Sequence, residues 1–119
     1  MVSSQETVPI LDRDTALSRV GGDVDLLREV GLLFLKECPS ALMDLRGAVA
    51  ARDAQSIERK AHSLKGSVAT FGSGAAFQAV LELERQGRNH DLSGVESNLK
   101  RFESSLDRLC VELHALVTE

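Results

Sequence analysis

Hydrophobic residues recur every three or four positions along most of the chain, which is the spacing of amphipathic helices. The pattern predicts six helices, over residues 13–20, 24–37, 39–51, 54–70, 75–86 and 92–117. The last is the most regular, because its apolar residues alternate by three and four positions from Leu92 to Leu116. No segment shows the two-residue alternation of a strand. We therefore expect an all-α fold.

Local signals set the expected helix ends. Aspartates that can cap a helix precede three of the predicted starts, namely Asp12, Asp23 and Asp53. Pro39 suits the first turn of a helix, where its missing N–H does no harm, so we expect a new helix to begin there. Gly87 is placed to end the fifth helix. Short loops between these helices predict an antiparallel four-helix bundle with one or two short additional N-terminal helices.

Length and composition indicate one globular domain. Of the 119 residues, 43% are hydrophobic and 27% are charged. Residues 1–10 lack periodicity and are expected to form a flexible lead-in or linker, followed by the bundle domain over residues 11–119. No apolar run approaches the roughly 20 residues of a membrane span, and no secretory signal is visible. The formal net charge of −4 argues against a nucleic-acid partner.

The cysteines and two of the histidines lack the spacing of metal ligands. Cys38 and Cys110 are expected to be reduced thiols near or in the core of a cytoplasmic protein. His90 lies in a predicted turn and His114 near the end of the last helix, and we expect both at the surface. We therefore predict no metal site, and a metal-dependent hydrolase is rejected because the ligands it would need are not clustered.

The remaining histidine lies in the predicted helix over residues 54–70. The apolar stripe of this helix consists of Ile57, Ala61, Leu64, Val68 and Phe71. His62 follows Ala61 and so lies about 100° around the axis from the stripe, at the solvent edge of the bundle. Lys65, Gly66 and Ala69 share the side of His62. A glycine inside a helix costs about 1 kcal/mol relative to alanine, so Gly66 requires a reason.

Three of these residues suit the transfer of a phosphoryl group. A neutral imidazole nitrogen of His62 is a nucleophile near pH 7, and Lys65 can place a positive charge beside phosphoryl oxygens. Gly66 removes side-chain bulk, so another protein could bring its active site close. Residues 58–88 carry five basic and three acidic residues, which would suit a phosphoryl group or an acidic partner. A difference this small is equally compatible with chance.

The run Ala61-His62-Ser63-Leu64-Lys65-Gly66-Ser67 resembles the signature of histidine-containing phosphotransfer (HPt) domains of two-component phosphorelays. Other segments resemble the family in the same order along residues 11–117: Val20-Gly21-Gly22-Asp23, Phe34-Leu35-Lys36-Glu37, Ala51-Arg52-Asp53-Ala54 and Leu83-Glu84. The resemblance implies a phosphocarrier without catalytic activity of its own. In such a domain His62 accepts a phosphoryl group from an aspartate of one receiver domain and passes it to an aspartate of another.

The resemblance also implies roles for the residues around His62. Lys65 steadies the phosphoryl group, Gly66 permits docking, and Glu84 matches a position, often Gln, whose side chain hydrogen-bonds the other ring nitrogen. The candidate docking residues are Ala69, Arg59, Arg85 and Arg88. The implied partners are the receiver domain of a hybrid sensor kinase and a response regulator. A monomer without cofactor is expected, with Mg2+ needed only in the partner receiver domain.

Two other functions remain open at this point. The chain could be the phosphoacceptor domain of a chemotaxis-type histidine kinase, phosphorylated by an ATP-bound kinase domain. It could also be a helical adaptor that has lost transfer activity, although the presence of Lys65 and Gly66 together with His62 argues against this.

Overall fold

The structure, a computed structural model, describes residues 10–119 of the chain. This part of the chain forms five helices. They are α1 (Arg13–Arg19), α2 (Val24–Ala50), α3 (Ala54–Ala69), α4 (Ala75–Arg88) and α5 (Val95–Val117). Helices α2 to α5 pack in a ring, α2 on α3, α3 on α4, α4 on α5 and α5 on α2, while α1 contacts α2. Residues 10–119 contain no strand. The all-α class and the four-helix bundle with one short N-terminal helix are therefore confirmed.

The three predicted aspartate caps each bond to the first turn of a helix. The carboxylates of Asp12, Asp23 and Asp53 accept hydrogen bonds from the backbone N–H groups of Thr15, Leu26 and Ser56. Each bond satisfies one of the N–H groups that a helix start leaves without a partner. These local signals therefore place the starts of α1, α2 and α3 at the predicted residues.

Helix α2 runs through Pro39, so the expectation of two separate helices is wrong. A proline inside a helix removes one backbone hydrogen bond and costs about 3 kcal/mol. Pro39 is exposed, however, and the buried residues on either side of it, Phe34, Cys38 and Leu45, continue one stripe. Because this stripe packs on the rest of the core along its whole length, burial offsets the local penalty and the helix continues to Ala50.

Gly87 lies inside α4, so its predicted role as a helix stop is also wrong. A Cβ atom at this position would lie 2.6 Å from the backbone nitrogen of Glu58 and 2.7 Å from the backbone oxygen of Ala54, both near the start of α3. Only glycine allows the backbones of α3 and α4 to come this close. The close approach brings the last turns of α4 against α3.

The core follows the predicted stripes. Seven apolar residues of α5 are buried, namely Val95, Leu99, Phe102, Leu106, Leu109, Leu113 and Leu116. Leu92 lies before α5, which begins at Val95, three residues later than expected. Cys38 and Cys110 are free thiols, the first buried and the second half-buried, and they contact each other between α2 and α5. None of the helices within residues 10–119 is long and apolar enough to cross a membrane.

The start of the described chain is tied to α5. The backbone N–H groups of Ile10 and Leu11 donate to the Glu112 carboxylate, at 3.2 and 2.6 Å, and both side chains are buried. Ile10 was expected to belong to the flexible lead-in, and the structure packs it against the bundle. The other nine residues of the predicted lead-in, 1–9, lie outside the described residues.

Candidate functional site

The side chain of His62 projects from the middle of α3 into solvent. It is 69% exposed, whereas its neighbours Ala61 and Leu64 are buried. This is the orientation that the apolar stripe of the helix predicts. A ring in this position is accessible to a second protein.

Glu84 on α4 holds the inner ring nitrogen of His62. Its Oε2 lies 2.5 Å from His62 Nδ1, and the Glu84 side chain is only 1% exposed. An ionised carboxylate can only accept hydrogen bonds, so Nδ1 carries the proton in this pair. The lone pair of the neutral ring is therefore on Nε2.

Two cations contact the buried Glu84 carboxylate, one at each oxygen. Lys65 Nζ lies 2.7 Å from Oε1, as an ion pair whose angles are not those of a hydrogen bond. Arg88 Nη2 lies 3.1 Å from Oε2, and Arg88 Nε donates to Glu58 Oε2 at 3.1 Å. One carboxylate thus joins His62, Lys65 and Arg88, and Glu58 holds Arg88 in place.

These contacts decide the ionisation of Glu84. Burial raises the pKa of its carboxyl, but its contacts with Lys65 and His62 outweigh burial, and the net pKa lies below its ordinary value. Glu84 is therefore ionised at neutral pH. The proton of the His62–Glu84 pair stays on the imidazole.

Gly66 and Ala69 extend the surface of α3 beyond His62 and Lys65. Gly66 is exposed, and a Cβ atom added there would have no heavy atom within 4 Å. Ala69 is half-buried at the last position of the helix. Packing among residues 10–119 therefore does not require a glycine at position 66.

The other two predicted docking arginines bind partners of their own and do not contact His62. Arg59 donates to the Ser56 hydroxyl at 3.3 Å, and Arg85 pairs with Glu82 at 3.0 Å. Both are exposed, and within residues 10–119 no hydrogen bond or ion pair links either of them to His62 or Glu84. Arg88 differs from them because it binds Glu84 directly. Its position four residues after Glu84 on one helix is a signal that the sequence already contained.

An apolar groove next to the histidine was not predicted. It lies between α2 and α3, has a volume of about 210 Å³, and is lined by residues that include Val30, Leu33, Ser63 and Ser67. Leu33 is 53% exposed and Leu32 is 55% exposed. Only the packed bundle shows that α3 leaves Leu33 uncovered.

The remaining titratable residues within 10–119 form no second cluster of this kind. His90 is exposed in the turn after α4, and His114 is exposed on α5. Among residues 10–119, no three His, Cys, Asp or Glu side chains are arranged to hold a metal ion.

Comparisons with known proteins agree with this geometry. The family model of the Hpt domain matches residues 30–115, which is more than half of the chain. The crystal structure of histidine-containing phosphotransfer protein B from Pseudomonas aeruginosa PAO1 superposes with a TM-score of 0.84 at 22% identity, covering 93% of this chain and 96% of that one. No curated protein matches the chain by sequence. The chain thus belongs to the Hpt domain family, whose members are histidine phosphocarriers of two-component signalling.

Proposed function

We propose that His62 accepts a phosphoryl group from an aspartate of a receiver domain and passes it to an aspartate of a response regulator. The observation that carries this proposal is the pairing of exposed His62 with buried Glu84 through Nδ1, at 2.5 Å. The pairing leaves the Nε2 lone pair directed away from the protein. The nucleophile is therefore already in its reactive tautomer before a partner arrives.

In the proposed step, Nε2 attacks the phosphorus of an aspartyl phosphate. The bond from phosphorus to the aspartate oxygen breaks, and its electron pair stays on the leaving carboxylate. Because Nδ1 keeps its proton, the phosphorylated ring becomes positively charged, and ionised Glu84 next to Nδ1 stabilises that charge. Transfer to the response regulator is the reverse reaction with a second aspartate.

Lys65 and the surroundings of His62 support the approach of a phosphorylated partner. Lys65 lies one turn after His62 on the same side of α3, where its ammonium can reach the phosphoryl oxygens. Its side chain is 24% exposed, so it is within reach of a group attached to the histidine. Mg2+ is assigned to the receiver domain, and the phosphocarrier needs no cofactor of its own.

The proposed docking surface consists of bare Gly66, Ala69 and the apolar groove between α2 and α3. Exposed Leu33 and the serines of α3 form its edge beside His62. Arg59 on α3 and Arg85 and Arg88 on α4 add positive charge to the two helices that carry the site, which suits the acidic active site of a receiver. We propose that the domain works as a cytoplasmic monomer and contacts neither nucleic acid nor membrane.

A transfer assay tests the proposal. Incubation with a receiver domain carrying labelled phosphate should label the protein with acid-labile, base-stable phosphate, and His62→Gln should abolish the label. His90→Gln is the matched control, because His90 is exposed without contacting the site, and it should accept phosphate normally.

Two outcomes would overturn the proposal. Labelling of the His62→Gln protein would place the phosphate on another residue. Labelling of the wild-type protein by an ATP-bound kinase domain but by no receiver would make it a chemotaxis-type phosphoacceptor domain.

A further inference from the structure

Two cations contact the Glu84 carboxylate, and they differ in how easily they can leave it. Lys65 contacts Oε1 from α3, and Arg88 contacts Oε2 from α4. Arg88 is itself anchored by Glu58, while no second carboxylate within residues 10–119 pairs with Lys65. Lys65 is therefore the more easily released of the two.

Phosphorylation gives Lys65 a second acceptor. Under the proposed function its ammonium binds the phosphoryl group on His62, and this contact competes with the one to Glu84. A carboxylate that is 1% exposed is costly to leave without a cation. When Lys65 moves, the charged phosphorylated ring stays on Oε2, and within residues 10–119 Arg88 is the one other cation that contacts the carboxylate.

We propose that Arg88 is a positioning residue that keeps Glu84 ionised while Lys65 moves from the carboxylate to the phosphoryl group. This inference rests on the proposed function, and it adds a role for Arg88 beyond that of a docking charge. The groups that face Glu84 are His62 and Lys65 from α3 and Arg88 from its own helix, with Glu58 behind Arg88.

Phosphoramidate is a small donor that tests the inference without a partner protein. His62 Nε2 attacks its phosphorus, the phosphorus–nitrogen bond of the donor breaks, and ammonia leaves with the electron pair. Since no partner protein docks in this reaction, a change in its rate reports on the residues around His62 and not on docking. The rate of phosphohistidine formation is read by phosphorus NMR.

We expect Arg88→Gln to slow phosphorylation by about threefold to tenfold, because Lys65 is then held on Glu84. In a Glu84→Gln background the same change should have no effect, since a neutral side chain needs no cation. Arg88→Lys should restore most of the rate. Arg13→Gln is the matched control, because Arg13 is an exposed arginine on α1 that pairs with Glu119 and has no contact with the site, and it should leave the rate unchanged in both backgrounds.

A spectroscopic readout separates positioning from a purely structural role. The carboxyl carbon shift of Glu84, followed against pH in the phosphorylated protein, should give a higher pKa for Arg88→Gln than for wild type. Equal slowing by Arg88→Gln with and without the Glu84 carboxylate would overturn the inference and make Arg88 act on the phosphoryl group directly. An unchanged rate in the wild-type background would overturn it as well.

The two proposals fail separately. If no receiver transfers phosphate but Arg88→Gln still acts only through Glu84, the proposed function fails and the role of Arg88 stands. If receivers phosphorylate His62 but the effect of Arg88→Gln does not depend on Glu84, the proposed function stands and only the inference about Arg88 is wrong.

Discussion

Two glycines on neighbouring helices of the site are present for opposite reasons. A Cβ atom at Gly66 on α3 would meet nothing within 4 Å, whereas one at Gly87 on α4 would lie 2.6 Å from the Glu58 backbone. Gly87 serves the interior of the protein, because it lets α4 bring Glu84 against His62. Gly66 has no such contact among residues 10–119, and under the proposed function it leaves room for a partner. The same residue type thus serves packing in one helix and, as proposed, docking in the next.

The largest effect is expected from Gly87→Ala. Because the added methyl group would collide with backbone atoms of α3, the two helices must separate, at a cost of about 3 kcal/mol in the free energy of unfolding. Urea denaturation measures this loss. Separation would also remove Glu84 from His62, so phosphorylation by phosphoramidate should slow. A variant as stable as wild type would show that the close contact of α3 and α4 is not needed.

A bulky residue at Gly66 should affect transfer without weakening the fold. We expect Gly66→Gln to lower phosphoryl transfer from a receiver by about tenfold to a hundredfold, because the side chain keeps the partner from its reactive distance. Phosphorylation by phosphoramidate should remain near the wild-type rate. Gly47→Gln is the matched control: Gly47 is also exposed, has nothing within 4 Å of a Cβ, and lies four residues before the C-cap of its helix. Equal transfer by both variants would contradict a docking role for Gly66.

The free energy of unfolding should also depend on pH through the buried carboxylate of Glu84. The pKa of Glu84 is below its ordinary value in the folded protein, so the folded state binds fewer protons there than the unfolded state. Its contribution to stability is present above the unfolded pKa, near 4.5, and is lost as the pH falls through the folded pKa. Between pH 7 and pH 3, wild type should lose more unfolding free energy than Glu84→Gln.

The difference between the acid profiles of wild type and Glu84→Gln gives the contribution of the Glu84 carboxylate. Asp12, Asp53 and Glu119 also have lowered pKa values, but they are present in both proteins and their contributions cancel. Parallel acid profiles of the two proteins would contradict the expected linkage.

The smallest expected effect is a gain in stability from Gly66→Ala. Alanine is favoured over glycine inside a helix, and no contact opposes the methyl group, so the free energy of unfolding should rise by about 0.5–1 kcal/mol. Gly47→Ala should give a similar gain, as thermal unfolding of both variants can show. A loss of stability from Gly66→Ala alone would assign Gly66 a structural role after all.

Several features could be predicted from short stretches of sequence. The aspartate caps, the stripe of α3 and the seam of α5 are periodic or local, and the structure reproduces them. The outward direction of His62, and the side it shares with Lys65 and Gly66, follow from helix geometry alone. The pairing of Glu84 with the ring was implied by the family resemblance and not by any spacing, because the two residues are on different helices.

The sequence by itself determined the all-helical class, the capped starts of α1 to α3 and the side of α3 that carries the histidine, because backbone periodicity and capping act over a few residues. Only the tertiary structure decided that α2 continues through Pro39 and that α4 continues through Gly87. It also decided that Lys65 and Arg88 meet on the two oxygens of Glu84, and that Leu33 stays uncovered beside His62. These outcomes depend on the distance between packed helices, which residues far apart in the chain set together and no local pattern contains.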